Sequence, residues 1–255
     1  MEKIIVGNMK MNLLTLVERE RYFDSFKKEI KGKKFENSQI VLCPPAIHIE
    51  QFVKKAKTKK VAIGAQNIFW EERGAYTGEI SAPMVKKVGA EYVIIGHSER
   101  RKYFSETNEI ANAKIMLALK NGLTPVYCIG ETMEERESGE TSQVIIEQAV
   151  EGLSGISAAK ISSVIVVYEP VWAVGTSTVP TSDDILEAKI ILKKIFTEAY
   201  GAKVAEKINI LYGGSVTAKT AKQVCVDPGM DGVLVGGASL IPLEFVKIAE
   251  IIDKN

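Results

Sequence analysis

Eight short apolar runs, most of them β-branched, punctuate the chain: Lys3–Gly7, Gln39–Cys43, Val61–Ala65, Tyr92–Ile95, Pro125–Ile129, Val164–Tyr168, Ile208–Tyr212 and Gly232–Val235. Apolar residues hardly alternate with polar ones inside them, so the pattern predicts strands buried on both faces of a parallel sheet. Segments with helical spacing lie between the runs, such as Val17, Tyr22, Phe26 and Ile30, or Ile185, Ala188, Ile191, Leu192 and Ile195. Thr181-Ser182-Asp183-Asp184 sets a capping hydroxyl and first-turn acids just ahead of the second of these. Strand-plus-helix units repeat in length but not in sequence, and 255 residues are close to the ~250 typical of an eight-unit barrel. The expectation is one α/β domain over residues 1–255, a (β/α)8 barrel of eight parallel strands ringed by helices. A doubly wound open sheet would want a Gly-rich dinucleotide turn after its first strand, where this chain has Gly-Asn-Met-Lys (7–10).

In such a barrel all strand C-termini open on one rim. Read in order, the residues just past the runs are Asn8 and Lys10; Gln66 and Asn67; His97, Ser98 and Glu99; Glu131; Glu169; Gly213, Gly214 and Ser215; and Gly236 and Gly237. Polar residues and glycines collect where each apolar run stops, which predicts an active rim.

Several of these groups can do chemistry. Glu169 ends a core strand at Pro170, beside Trp172 and Val174; a carboxylate at a barrel mouth would be partly desolvated when covered, which raises its basicity and suits a general base, while an ion pair with a nearby Lys or Arg would use the same position. His97 opens His-Ser-Glu-Arg-Arg, and a ring facing the backbone N–H groups of a helix start would stay neutral yet still donate to a carbonyl oxygen. For an arbitrary lone histidine a satisfied structural role is the commoner reading; the second, His48, falls within a predicted helix as a surface or packed group. Lys10 can reach an anionic ligand as a point charge, or simply be solvated. Gly213-Gly214-Ser215 is predicted to precede a helix over Val216–Val224, and Gly236-Gly237-Ala238-Ser239 a short helical segment. Two such side-chain-free turns at adjacent strand ends form a candidate phosphate cradle.

Composition narrows the picture further. A charged fraction of 25% and a hydrophobic fraction of 46% are those of an ordinary globular protein, and a net charge of +1 gives no field to recruit nucleic acid or an anionic membrane. Lys54–Lys60 is basic but lacks interleaved aromatics, and reads as a solvated helix end. Cys43, Cys128 and Cys225 are odd in number and far apart, with neither metal-ligand spacing nor a disulfide framework. They point to a reducing compartment. With no signal peptide at the N-terminus and no apolar run near the ~20 residues that span a bilayer, a cytoplasmic location is expected.

The motifs together resemble the triosephosphate isomerase family along the whole chain: Gly-Asn-Met-Lys-Met-Asn (7–12), Gly-Ala-Gln-Asn (64–67), Gly-Ala-Tyr-Thr-Gly-Glu-Ile-Ser (74–81), Ile-Gly-His-Ser-Glu-Arg-Arg (95–101), Cys-Ile-Gly-Glu (128–131), Tyr-Glu-Pro-Val-Trp-Ala-Val-Gly-Thr (168–176), Tyr-Gly-Gly-Ser-Val (212–216) and Leu-Val-Gly-Gly-Ala-Ser-Leu (234–240). The resemblance implies a TIM barrel that interconverts dihydroxyacetone phosphate and glyceraldehyde 3-phosphate through an enediol(ate), with neither metal nor organic cofactor. It casts Glu169 as the proton shuttle, His97 as the group polarising the carbonyl, Lys10 as the stabiliser of developing charge and Asn8 as an orienting residue. Glu99 would support Lys10 and His97, and Gly175, Ser215, Gly236 and Gly237 would grip the phosphate. Residues Val171 to about Thr181 resemble the family's lid. Residues 74–81 resemble the loop that enters a second subunit, carrying Thr77 toward its Asn8 and Lys10 while Met11 lines the receiving pocket; a homodimer is implied. Three positions depart from the family pattern: Met9 stands where Trp is common, Ser177 where a lid glycine is common, and Pro180 sits near the second lid hinge. They bear on lid motion rather than on the reaction.

Other barrel chemistries fit less well. A Schiff-base aldolase needs a lysine inside a strand, and a metal-dependent epimerase needs clustered His and Asp ligands; the runs supply neither. A phosphate-binding scaffold would need no base, yet Lys10, His97 and Glu169 are all present.

Overall fold

The computed structural model describes residues 2–176 and 178–255. Eight parallel strands close into a barrel in sequence order: β1 (Lys3–Asn8), β2 (Ser38–Cys43), β3 (Val61–Ala65), β4 (Tyr92–Ile95), β5 (Thr124–Ile129), β6 (Ile165–Tyr168), β7 (Ile210–Tyr212) and β8 (Gly232–Val235). Gly7 pairs with Leu42 of β2 on one side and with Val235 of β8 on the other, which closes the ring. All eight strands are those that the apolar pattern predicts, with ends that differ by at most two residues.

The even hydrophobicity of the strands has a simple cause, since each has two dry faces. Ile4, Val6, Val41, Cys43, Val126, Cys128, Ile165, Val167, Leu211 and Leu234 belong to a cluster made of strand residues alone, which is the barrel interior. Their neighbours Ile5, Ile40, Leu42, Val166 and Val233 pack outward, in one cluster with Phe23, Phe26, Leu192, Phe196 and Phe245 of the surrounding helices. Side chains alternate along a strand, so the inward parity of Ile4 and Val6 continues to Asn8, and that of Ile165 and Val167 to Glu169. Strand geometry alone thus carries a carboxamide and a carboxylate to the same rim.

Helix starts follow their capping chemistry. Thr181 caps the helix Ser182–Tyr200, its Oγ1 accepting from the Asp184 N–H at 3.1 Å while the Asp184 carboxylate accepts from the Thr181 N–H at 2.9 Å. The helix expected over Val216–Val224 is not formed as drawn. Thr217 and Thr220 cap one another reciprocally, winding begins only after them, and Lys222–Val226 forms a wide π turn. Nor does His48 lie inside a regular helix. It ends a 3-10 turn, Ala46–His48, and is buried. Among the described residues no helix is long and apolar enough to cross a membrane.

Candidate active site

His97 lies two residues beyond β4, where it caps the helix Ser98–Phe104. Its Nδ1 accepts the Glu99 backbone N–H at 3.2 Å. An accepting Nδ1 leaves the proton on Nε2, and Nε2 lies 2.9 Å from Glu169 Oε1. Ser98 completes the cradle, its N–H donating to Glu169 Oε2 at 3.0 Å and its hydroxyl to Oε1 at 3.1 Å. Glu169 is only 2% exposed.

In the resting site the electrostatics of this pair run opposite to what covering the carboxylate would do. Burial pushes the Glu169 carboxyl upward, as expected, but the His97 ring and the two Ser98 donors outweigh it and hold the group below the usual carboxylate range. Burial likewise pushes the His97 imidazole down, and the adjoining Glu169 charge turns the net shift upward. The resting carboxylate is therefore a well-solvated anion by proxy, with protein donors in place of water.

Lys10 reaches the same rim from β1. Its Nζ donates to Glu99 Oε1 at 2.6 Å, and its backbone N–H to Asn8 Oδ1 at 3.0 Å. Glu99 stands between Lys10 and His97, its other oxygen 3.8 Å from His97 Nδ1. Two hollows meet at Asn8, Lys10 and His97. One, of about 250 Å³, is lined by Val174, Gly175 and Thr176 on one side and by Gly213–Thr217, Gly236 and Gly237 on the other. The second, of about 340 Å³, is lined by Met11, Gln66, Asn67, Arg100, Phe104 and residues 78–80.

Asn8, Lys10, His97, Glu99 and Glu169 are thus brought together, and Gly175, Ser215, Gly236 and Gly237 line the hollow beside them. Thr77 is exposed on its loop and is not brought to these residues within the chain. Met9 is fully buried, and the Pro180 carbonyl accepts from Gln223 Nε2 at 3.0 Å. Ser177 lies outside the described residues. The segment after Glu169 is tied down: Trp172 Nε1 donates to the buried Glu131 at 2.8 Å, the Ser215 N–H to the Ala173 carbonyl at 3.1 Å, and Ser215 Oγ to the Thr176 carbonyl at 2.8 Å. Among the described residues no three His, Cys, Asp or Glu side chains converge as metal ligands.

Sequence reasoning missed three contributors. Ser98 was visible as a helix starter, but not as the partner of a carboxylate 71 positions away. Gln66 was visible as a rim residue, but not as a donor to the carbonyls of both Lys10 and Cys43. The buried pair Glu106–Lys114 went unnoticed altogether. Its available signal was a lysine set among Ala111, Ile115 and Ala118 on the apolar face of the helix Asn108–Lys120.

A family model described as triosephosphate isomerase matches residues 3–252. The chain is 44% identical over 243 residues to a triosephosphate isomerase of Dictyoglomus turgidum, covering 95% of this chain and 96% of that protein. It is 45% identical over 248 residues to that of Dictyoglomus thermophilum, covering 97% and 98%. With that of Thermoanaerobacter pseudethanolicus it shares 41% identity over 245 residues, covering 96% and 97%.

Proposed function

Since the chain belongs to the triosephosphate isomerase family, an isomerase of triose phosphates, we propose that Glu169, His97 and Lys10 interconvert dihydroxyacetone phosphate and glyceraldehyde 3-phosphate. Glu169 takes a proton from one substrate carbon and returns it to the neighbour. His97, neutral with its proton on Nε2, donates to the carbonyl oxygen as negative charge gathers there, and Lys10 stabilises that charge through space. Asn8 orients the substrate, Glu99 holds Lys10 and the His97 ring in place, and Gly175, Ser215, Gly236 and Gly237 receive the phosphate. No step calls for a metal or organic cofactor. The single observation that carries this reading is the contact between the His97 ring and a buried Glu169 at 2.9 Å, with Lys10 at the same rim.

The test is a coupled assay of triose-phosphate interconversion. Glu169→Gln keeps shape and removes the base, and is expected to lower kcat by about 10²- to 10⁴-fold while binding of a phosphorylated inhibitor survives. Near-parental turnover would remove the base assignment.

The same reading extends to assembly. Residues 1–255 act as one barrel domain, and two copies pair through the 74–81 loops. Met11, Leu14, Ile47, Tyr103 and Phe104 are all more than half exposed, Met11 and Phe104 line the wider hollow, and a partner's loop would cover them and bring Thr77 near Asn8 and Lys10. An active monomer in gel filtration would exclude this arrangement. The three cysteines are buried free thiols, which supports a reducing, cytoplasmic setting.

A further inference from the structure

Lys10 and Leu13 share an unusual backbone. They stand in the left-handed region at φ 52° and 60°, and among the described residues Ser105 is the only other non-glycine residue there. Such a conformation persists only where the surroundings over-determine it. Packing supplies part of that constraint at Leu13, which is buried in the core, but not along the whole loop, because Met11 and Leu14 are 88% and 77% exposed. Side chains from two other strand ends supply more. Gln66, just past β3, donates through Nε2 to the Lys10 carbonyl at 2.9 Å and to the Cys43 carbonyl at 2.9 Å, which spends both amide hydrogens and ties the loop to the end of β2. His48, in the turn after β2, places Nε2 2.8 Å from the Leu13 carbonyl. A carbonyl can only accept, so Nε2 is the donor, and the buried Nδ1 has no partner among the described residues. The Leu13 bond is therefore the polar contact that orients the imidazole.

We propose that Gln66 and His48 are positioning residues for Lys10: by holding the carbonyls of the two left-handed residues they fix the turn from which the ammonium reaches over Gly236 toward His97. A Cβ at Gly236 would stand 3.4 Å from Lys10 Cε, which fixes where the side chain passes. The inference rests on the reading of Lys10 as the cation of the site.

The experiment is a double-mutant cycle on the isomerase reaction, run at a concentration where light scattering gives the same assembly state for every variant. Gln66→Met preserves length and removes both donors, and is expected to lower kcat/KM by about 10- to 100-fold. In a Lys10→Gly background there is neither an ammonium to place nor a left-handed penalty, and the same change is expected to alter the residual kcat/KM by less than about twofold. Equal losses in both backgrounds would overturn the proposal. His48→Leu and His48→Gln provide a second reading, since the glutamine amide can still reach the Leu13 carbonyl: recovery with Gln supports positioning, and equal impairment by both opposes it. Parental kcat/KM in Lys10→Gly would instead overturn the role of Lys10 itself, a failure distinct from lost coupling.

Discussion

Replacing Glu106 by Gln should unbalance a charge cluster buried behind the histidine. Three donors converge on this carboxylate: Lys114 Nζ at 2.5 Å, Arg100 Nε at 2.7 Å and the Gly96 backbone N–H at 2.8 Å. The side chains of Lys114 and Glu106 are 2% and 1% exposed. Burial raises the Glu106 carboxyl, and Lys114 with the other donors more than reverses this, holding it below its ordinary value. In the variant the amide oxygen can still serve Gly96, but Lys114 keeps only Asn67 Oδ1 at 2.8 Å as an acceptor. Breaking a buried pair from one side costs about 3–5 kcal/mol. With about 2–4 °C per kcal/mol for a chain of this size, the melting temperature should fall by about 6–20 °C.

The control is the double variant Glu106→Gln with Lys114→Met, which removes both charges at nearly constant volume and should recover most of the loss. Thermal and urea melts at one protein concentration measure both. A penalty below about 1 kcal/mol, or a double variant no more stable than the single one, would refute the argument. The pH dependence supplies an independent check. A carboxyl depressed in the folded state stabilises above the unfolded carboxylate range, and that stability is lost as pH falls through the folded value. The gap between parent and Glu106→Gln should therefore narrow in acid.

Two further outcomes follow from the geometry at Glu169. Ser98→Ala deletes the 3.1 Å hydroxyl donor to Oε1 and leaves the backbone donor, so the Glu169 carboxyl should titrate at higher pH than in the parent by carboxyl ¹³C NMR; an unmoved titration would show that the hydroxyl does not hold it. At Gly130 an added Cβ would lie 2.1 Å from the Glu169 carbonyl oxygen and 2.5 Å from its carbon, contacts that only a backbone shift can relieve, so Gly130→Ala should lower kcat by about 10²-fold, and parental kcat would contradict that reasoning.

What the sequence disclosed, and what it hid, follows from the range of the forces involved. The strand runs stand out because a parallel barrel has no wet strand face: the buried residues of β6 and β8 have to be apolar throughout. The rim residues stand out because polarity is tolerated only where the strands stop. Pairings across the chain leave no such trace. Nothing local to Ser98 announces that its hydroxyl meets Glu169, and a lysine such as Lys114 reads as solvent-facing unless the apolar stripe around it is given more weight than its charge. The resting environment of Glu169 was hidden for the same reason. Desolvation can be inferred from a strand-end position, whereas the Ser98 and His97 donors that reverse its effect come from a different strand. The misplaced helix at Val216 reflects a side-chain exchange between Thr217 and Thr220, which competes with backbone winding.

These resting bonds also order the proposed reaction in time. Ser215 offers its N–H and hydroxyl to the carbonyls of Ala173 and Thr176, and these are donors a phosphate would claim. A phosphate that takes them frees both carbonyls of the segment after Glu169. Pro170 joins that segment to Glu169 with a fixed φ, so movement of the segment pulls on the carboxylate and draws it off Ser98 and His97. Those donors are what depress its pKa. Without them only desolvation remains, and desolvation raises basicity. The same departure removes the larger of the two charges that pull the His97 imidazole upward, leaving burial and Lys10 to oppose Glu99 alone. Substrate binding would therefore strengthen the base and help keep the hydrogen-bond donor neutral in one displacement, and the empty site would hold the base in its weaker condition.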